Sequence, residues 1–194
     1  MAFPYSPFVL NGRVGQSILK AIGPTLLEAE FTGKSAYSLR LGGEFPSGAA
    51  AKRFEEMVGP DSTPVFCCRL HFSLPRRGQH AELFVKVPEE VCVWKYHQVF
   101  NLWFRGVSTS AKLYVSFSDA QGQRWFFPQE GILSGGQWVL LRVPLSHFMC
   151  PEELRTDNVQ HRDHVTELSV QVAWGERAQR CRGYLDVYQA FLSH

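Results

Sequence analysis

From residue 98 to residue 148 apolar and polar side chains alternate with a period of two, the spacing of strands that bury one face and expose the other. In 98–105, Phe100, Leu102 and Phe104 share one side while Asn101, Trp103 and Arg105 share the opposite one. In 112–118, Leu113, Val115 and Phe117 oppose Lys112, Tyr114 and Ser116. The same sorting in 65–74 sets Phe66, Cys68, Leu70 and Phe72 against Arg69 and His71, and in 165–174 it sets Leu168, Val170 and Val172 against Glu167, Ser169 and Gln171. Shorter runs at 25–32, 36–41, 81–87, 123–127, 137–143 and 183–192 bring the total to about ten strands, the number of a two-sheet antiparallel sandwich. The segment 49–58 (AAAKRFEEMV) departs from this pattern: Ala50, Phe54 and Met57 recur at helical spacing and Gly59-Pro60 ends the run, which predicts a short peripheral helix. Residues 1–24 are punctuated by Pro4, Pro7, Gly12, Gly15, Gly23 and Pro24 and predict a lead-in arm. The expected organisation is an arm over 1–24 followed by one all-β domain over 25–194, with at most one or two short peripheral helices.

At 194 residues, 45% of them hydrophobic, the chain is long enough for one substantial core and short for two. A formal net charge of +2, with the basic residues scattered apart from Arg76-Arg77, gives no field for phosphate and argues against nucleic acid. No apolar run reaches bilayer length, so no membrane partner is expected. The first residues, Met1-Ala-Phe-Pro-Tyr-Ser, have neither the charged nor the apolar region of a secretory leader. Cys67, Cys68, Cys92, Cys150 and Cys181 are an odd set without metal-type C-x-x-C spacing, so at least one thiol stays unpaired within a monomer. Cys67 and Cys68, adjacent in a strand, must point to opposite faces. These features lean towards an intracellular protein or a module of a larger secreted one and leave the compartment open.

The polar faces of the four best strands pool Arg69, His71, Asn101, Trp103, Arg105, Tyr114, Ser116, Glu167, Ser169 and Gln171. If those strands share a sheet, the pool is one surface. A flat ring offers the CH-rich face of a sugar a stacking partner, and amide, carboxylate and guanidinium groups bond its hydroxyls in pairs. Trp103 and Tyr114 are the stacking candidates, with Arg105, Asn101, Glu167, Gln171, Arg69 and His71 as the hydrogen-bonding set. The same residues are equally those expected on the solvated side of an antiparallel sheet, with the two aromatics covered by a loop or a second subunit.

The order FNLWFRG, KLYVSFSDAQGQRWFFP, GGQWVLLRVPLSHF between residues 98 and 148 resembles the carbohydrate-binding modules of the galactose-binding-like jelly-roll type. The shared features are a D-x-x-G hairpin, here Asp119-Ala-Gln-Gly122, a strand led by Trp138 that ends in Pro144-Leu145-Ser146-His147-Phe148, and a last strand GYLDVYQAFL containing Asp186. SAYSLRLGG is similar to that family's second strand. The likeness covers most of 26–192 in scattered positions. It implies a two-sheet antiparallel jelly-roll β-sandwich, a glycan or polysaccharide partner, no required cofactor, and a structural calcium for which Glu28, Glu30 and Asp186 are the matching carboxylates. The segments 49–61 and 149–164 and the turn at Arg76-Arg77 have no place in the minimal pattern; loops of that size cover or build a binding face.

His161-Arg-Asp-His164 places two imidazoles near a carboxylate, but without a matching Cys or His cluster in the sequence around it. Nucleophile elbows, phosphate loops, dinucleotide turns and H-E-x-x-H helices do not occur. Trp125-Phe126-Phe127 is a candidate platform, one face of which a sandwich core would claim. Three readings remain open: a non-catalytic glycan-binding module, a protein-interaction or assembly module (a homo-oligomer included) using the same aromatics and the His161 region, and a carbohydrate-active enzyme with an unrecognised site.

Overall fold

The computed structural model describes residues 8–9, 38–42, 50–108, 110–129, 133, 135–155, 157, 159–174 and 181–194. Its strands are β1 (Phe8–Val9), β2 (Ser38–Gly42), β3 (Ala50–Val58), β4 (Pro64–Leu74), β5 (His80–Lys86), β6 (Val99–Ser108), β7 (Ala111–Ser118), β8 (Arg124–Gln129), β9 (Val139–Pro144), β10 (Glu167–Trp174) and β11 (Cys181–Ser193). They form two antiparallel sheets, one ordered β1-β9-β6-β11-β4-β3 and the other β2-β5-β10-β7-β8. This is the two-sheet jelly-roll sandwich that the alternation and the resemblance imply. Single turns of 3₁₀ helix at Glu89–Val91, Leu145–His147 and Glu152–Leu154 are the helical elements among the described residues, and none there is long and apolar enough to cross a membrane.

The core lies where the sorted faces place it, except at Phe66, which the alternation groups with Cys68, Leu70 and Phe72 but which is 50% exposed near the start of β4, beyond the reach of the core. Phe100, Leu102 and Phe104 of β6, Leu113, Val115 and Phe117 of β7, Leu168, Val170 and Val172 of β10, and Cys68, Leu70 and Phe72 of β4 are all buried in one cluster between the sheets. Trp94, in the link between β5 and β6, is also fully buried, packs on Phe100 and Phe117, and donates its indole N–H to the Val91 carbonyl at 3.0 Å. Cys67 and Cys68 do point to opposite faces, and burial pushes both thiols up to about 12. All five cysteines are free thiols.

One expectation is overturned. The segment 49–58 is no helix: Ala50–Val58 is the edge strand β3, paired with β4 from Ala50↔Phe72 to Val58↔Pro64. Its helical propensity yields to a nine-residue ladder offered by a neighbour already fixed in the core. In a helix Phe54 and Met57 would share a face; in the strand Phe54 packs on the main core and Met57 on the opposite side of the sheet. Lys52, Arg53, Glu55 and Glu56 keep this edge charged, which discourages pairing with another chain. Gly59-Pro60 does end the element, as part of the hairpin closed by Gly59 N–H to Thr63 O at 2.7 Å. The expected strand at 25–32 lies outside the described residues. Within the expected arm, Phe8–Val9 pairs with Leu140 and Val139.

The D-x-x-G hairpin forms as read. Gly122 takes φ 77°, and the buried Asp119 carboxylate accepts from the backbone N–H groups of Gln121 and Gln123 and from the Trp125 indole at 2.8 Å. In β11 the register against β6 shifts between Val187 and Gln189. The extra residue, Tyr188, resets the alternation, so that Val187, Ala190 and Leu192 face the core while Asp186 and Phe191 face away from it. At the start of β11, Gly183 lies so close to the Val107 carbonyl that a methyl group there has no room. Gly183→Ala is expected to destabilise the fold by about 1–3 kcal/mol, the usual cost of overpacking, read as a lowered urea midpoint with an unchanged slope.

Candidate functional site

The pooled surface divides in two. β4 and β6 belong to the six-stranded sheet and β7 and β10 to the five-stranded one. Arg69, His71, Asn101, Trp103 and Arg105 therefore lie on one outer face of the sandwich, and Tyr114, Ser116, Glu167, Ser169 and Gln171 on the other. Trp103 and Tyr114 cannot hold one ligand between them.

The face of the six-stranded sheet is built for stability. Trp103 is 0% exposed, enclosed with Val65, Cys67, Trp138, Leu140 and Phe191 in a second apolar cluster, and its indole N–H finds no acceptor among the described residues. Asn101 is buried and donates to Phe191 O at 3.3 Å and Ser193 Oγ at 3.1 Å. Arg69, Asp186 and Arg105 stand in register across β4, β11 and β6. Arg69 binds the fully buried Asp186 carboxylate with two bonds of 2.6 and 2.8 Å, and Arg105 adds a third at 2.8 Å. Arg69 also pairs with Glu55 at 2.8 Å and lies over the Tyr184 ring, and Arg105 lies over Trp138. These groups are committed to one another. Asp186, with both oxygens held by guanidinium groups, does not fit a calcium ligand, since the ion would have to displace two cations from a buried carboxylate. Glu28 and Glu30 lie outside the described residues. His71 is exposed and set against Tyr184 with the ring centres 6.5 Å apart.

The face of the five-stranded sheet is different. Its outward positions run in rows across the strands: Arg40, Glu82, Gln171, Tyr114 and Pro128 in one, and Ser38, Phe84, Ser169, Ser116 and Phe126 in the next. Glu82 is fully buried between Arg40 and Arg124. Arg40 grips Glu167 with two bonds of 3.0 and 2.9 Å and covers the Phe84 ring at 4.1 Å. Arg124 donates to Ser116 Oγ at 2.9 Å and Ser169 Oγ at 2.6 Å and lies over Phe126. His80, beside these cations, is pushed below its ordinary pKa, first by burial and then by Arg124 and Arg40. The network fixes Glu167 as a partner of Arg40, so its carboxylate is engaged within the protein rather than held out for a ligand.

Beside that network opens a groove of about 800 Å³. Tyr114 and Gln171 line it, together with Phe126, Pro128, Met149 and Arg155, over a floor of Trp125 and Phe148 from the core. Alternation along β8 splits the aromatic triplet: Trp125 and Phe127 enter the core and Phe126 turns outward. The far wall is the segment after β9, tied to the edge of β8 by a reciprocal pair of 2.8 Å backbone bonds between Phe126 and Met149. Met149 is 57% exposed. Behind the wall, His161 bonds Asp157 at 2.7 Å, and Asp157 accepts from Gln123 at 2.9 Å, which fastens the loop to the D-x-x-G hairpin. Of the residues picked out from the strand faces, Tyr114 and Gln171 reach the groove. Phe126 comes from the Trp125-Phe126-Phe127 run named as a candidate platform, as the member of it that faces outward; Met149 and Arg155 were missed, because they sit in a loop where alternation carries no signal.

No protein-family model matches the sequence, and comparison with curated proteins finds no match. Solved structures do match in shape. The chain is similar to the family 11 carbohydrate-binding module of a cellulosomal cellulase of Clostridium thermocellum, at TM-score 0.62 and 12% identity over 89% of this chain and 95% of that one. A structure of the Clostridium thermocellum family 11 module in complex with a β-1,3-1,4-mixed-linked tetrasaccharide matches at TM-score 0.59 and 11% identity, over 84% and 92%. An exo-β-agarase matches at TM-score 0.55 and 14% identity, over 89% of this chain and 26% of that one. At these identities the likeness establishes the shared jelly-roll fold.

Two outcomes follow from the geometry. Trp103→Ala should cost about 3–5 kcal/mol of stability, as for a large buried aromatic, measured by denaturant titration. The hydrogen bond that His161 donates to the Asp157 carboxylate raises the pKa of His161, and that bond, with the Val159 and Gln123 donors, holds Asp157 down at about 2. The His161 contribution is complete below its ordinary pKa and is lost as pH rises through the raised one; that of Asp157 is lost as pH falls through about 2. An NMR titration should therefore place His161 above 6.5, and Asp157→Asn should return it towards that value.

Proposed function

We propose that this chain is a non-catalytic glycan-binding module that takes a polysaccharide in the groove on the outer face of its five-stranded sheet. The observation that carries this reading is the outward pair Tyr114 and Phe126, partly exposed on adjacent strands and lining one groove with Gln171 and Arg155. Rings in such a groove stack on the CH face of a sugar, and an amide and a guanidinium bond its hydroxyls. The fold shared with a carbohydrate-binding module solved in complex with a β-1,3-1,4-mixed-linked tetrasaccharide supports it. Both rings stand on strands whose alternate residues, Leu113, Val115, Trp125 and Phe127, are fixed in the core, so the backbone that presents them is ordered before a ligand arrives, which lowers the cost of binding.

Glycoside hydrolysis generally uses two carboxyl groups about 5–10 Å apart flanking one bond. Among the described groove residues Glu152 alone supplies a carboxylate, and Glu82 and Glu167 on the same face are paired with Arg40 and Arg124. That arrangement favours binding over turnover.

Affinity electrophoresis of the full chain through a panel of soluble polysaccharides, mixed-linkage β-glucan included, tests the proposal. Retardation by at least one polymer is expected, with Tyr114→Ala and Phe126→Ala each weakening it about tenfold, or about 1.4 kcal/mol, and Trp103→Phe leaving it intact. Retardation by no polymer, or undiminished retardation of the Tyr114→Ala/Phe126→Ala double variant, would overturn it.

A further inference from the structure

At the end of the sandwich, outside the groove, three side chains of different chemistry converge. Cys92 Sγ lies 3.2 Å from His164 Nδ1, and that nitrogen lies 3.8 Å from Glu89 Oε2. The three donor atoms all fall within 4.8 Å of one another. With metal–ligand bonds of roughly 2.0–2.3 Å, tetrahedral geometry sets neighbouring N, O and S donors about 3.3–3.7 Å apart, and the contacts of 3.2 and 3.8 Å lie at the two edges of that range.

The placement is fixed by backbone. Glu89 opens the 3₁₀ turn Glu89–Val91 and Cys92 follows it directly. Three backbone bonds join this stretch to the segment entering β10: Val87 N–H to Thr166 O at 3.0 Å, Val165 N–H to Cys92 O at 2.8 Å, and Trp94 N–H to Arg162 O at 2.8 Å. The buried Trp94 anchors the first stretch to the core, and Val165, also fully buried, anchors the second. His161 is drawn away to Asp157, so of the two imidazoles in the H-R-D-H run only His164 takes part. Cys92 is 4% exposed, whereas the His164 and Glu89 side chains open to solvent. An ion can enter from water and keep water as a fourth ligand.

We propose that Cys92, His164 and Glu89 form a binding site for a divalent ion of the zinc class. A thiolate with an imidazole selects zinc over the oxygen-seeking calcium and magnesium. The bound ion would tie the β5–β6 link to the segment that enters β10. None of the three residues belongs to the glycan groove, so the site stands or falls independently of it.

The test is titration of the chelator-treated full chain with Co²⁺ and with Zn²⁺. Co²⁺ should produce the near-ultraviolet thiolate-to-cobalt absorption of a tetrahedral sulfur site, displaced by Zn²⁺, and Zn²⁺ should raise the melting temperature. Cys92→Ser should abolish the absorption and His164→Ala should weaken binding at least tenfold, while His161→Ala should leave both unchanged. His164 is half exposed, so its variant keeps the test decisive if Cys92→Ser fails to fold. Absence of the thiolate band with wild type, affinity unaltered in His164→Ala, or a melting temperature indifferent to Zn²⁺ would overturn the proposal and leave the Cys92–His164 contact as a hydrogen bond.

Discussion

Phe100, Leu102 and Phe104 on one sheet and Leu113, Val115 and Phe117 on the other have almost no surface left in water. Filling the space between the sheets with these side chains obliges each intervening residue of the same strands to point out of the sandwich. The chemistry of the two sheet faces is a consequence of what occupies those outward positions. The Tyr188 irregularity in β11 shows how firmly the constraint is held: the strand accommodates an extra residue rather than turn Ala190 and Leu192 out of the core.

The two outward faces meet the same demand by opposite means. On the six-stranded sheet a second apolar layer grows around Trp103, Trp138 and Phe191, and the remaining polar groups neutralise one another around Asp186. Removing either layer would leave buried charge or cavity. On the five-stranded sheet the charges again close on themselves through Arg40, Glu82, Arg124 and Glu167, but the aromatic side chains at the β7–β8 edge have no second layer over them among the described residues. Commitment of polar groups inside the protein, not their residue type, separates the closed positions from the open ones on these sheets.

That distinction explains what the sequence could disclose. The period-two alternation named the core of β6, β7 and β10 residue by residue, and of β4 apart from the exposed Phe66, because burial on one side writes itself directly into composition. It also put Trp103 on an outward face, correctly, but alternation has no means of recording that the face is covered. Nor does it tell which strands share a sheet, since pairing joins residues far apart in the chain; Arg69 and Asp186 are neighbours across a ladder and distant in sequence. The segment 49–58 misled for a related reason: its alanines, lysine, arginine and glutamates favour a helix locally, and the partner strand that overrules them lies elsewhere. Cys92 and His164 looked unrelated until backbone bonds between loops brought them within 3.2 Å.

The attachment of the groove wall decides which of its residues the fold depends on. Phe126 and Met149 are joined through main-chain atoms alone, so the connection survives any change of side chain at either position that permits an extended backbone. The floor is bound to the hydrophobic interior and can vary little without loss of the fold, whereas Met149, Pro151, Glu152 and Arg155 hang from it as an interchangeable part. Side chains of that wall can thus change without disturbing the core beneath it, whereas a change in the floor reaches the packing between the sheets.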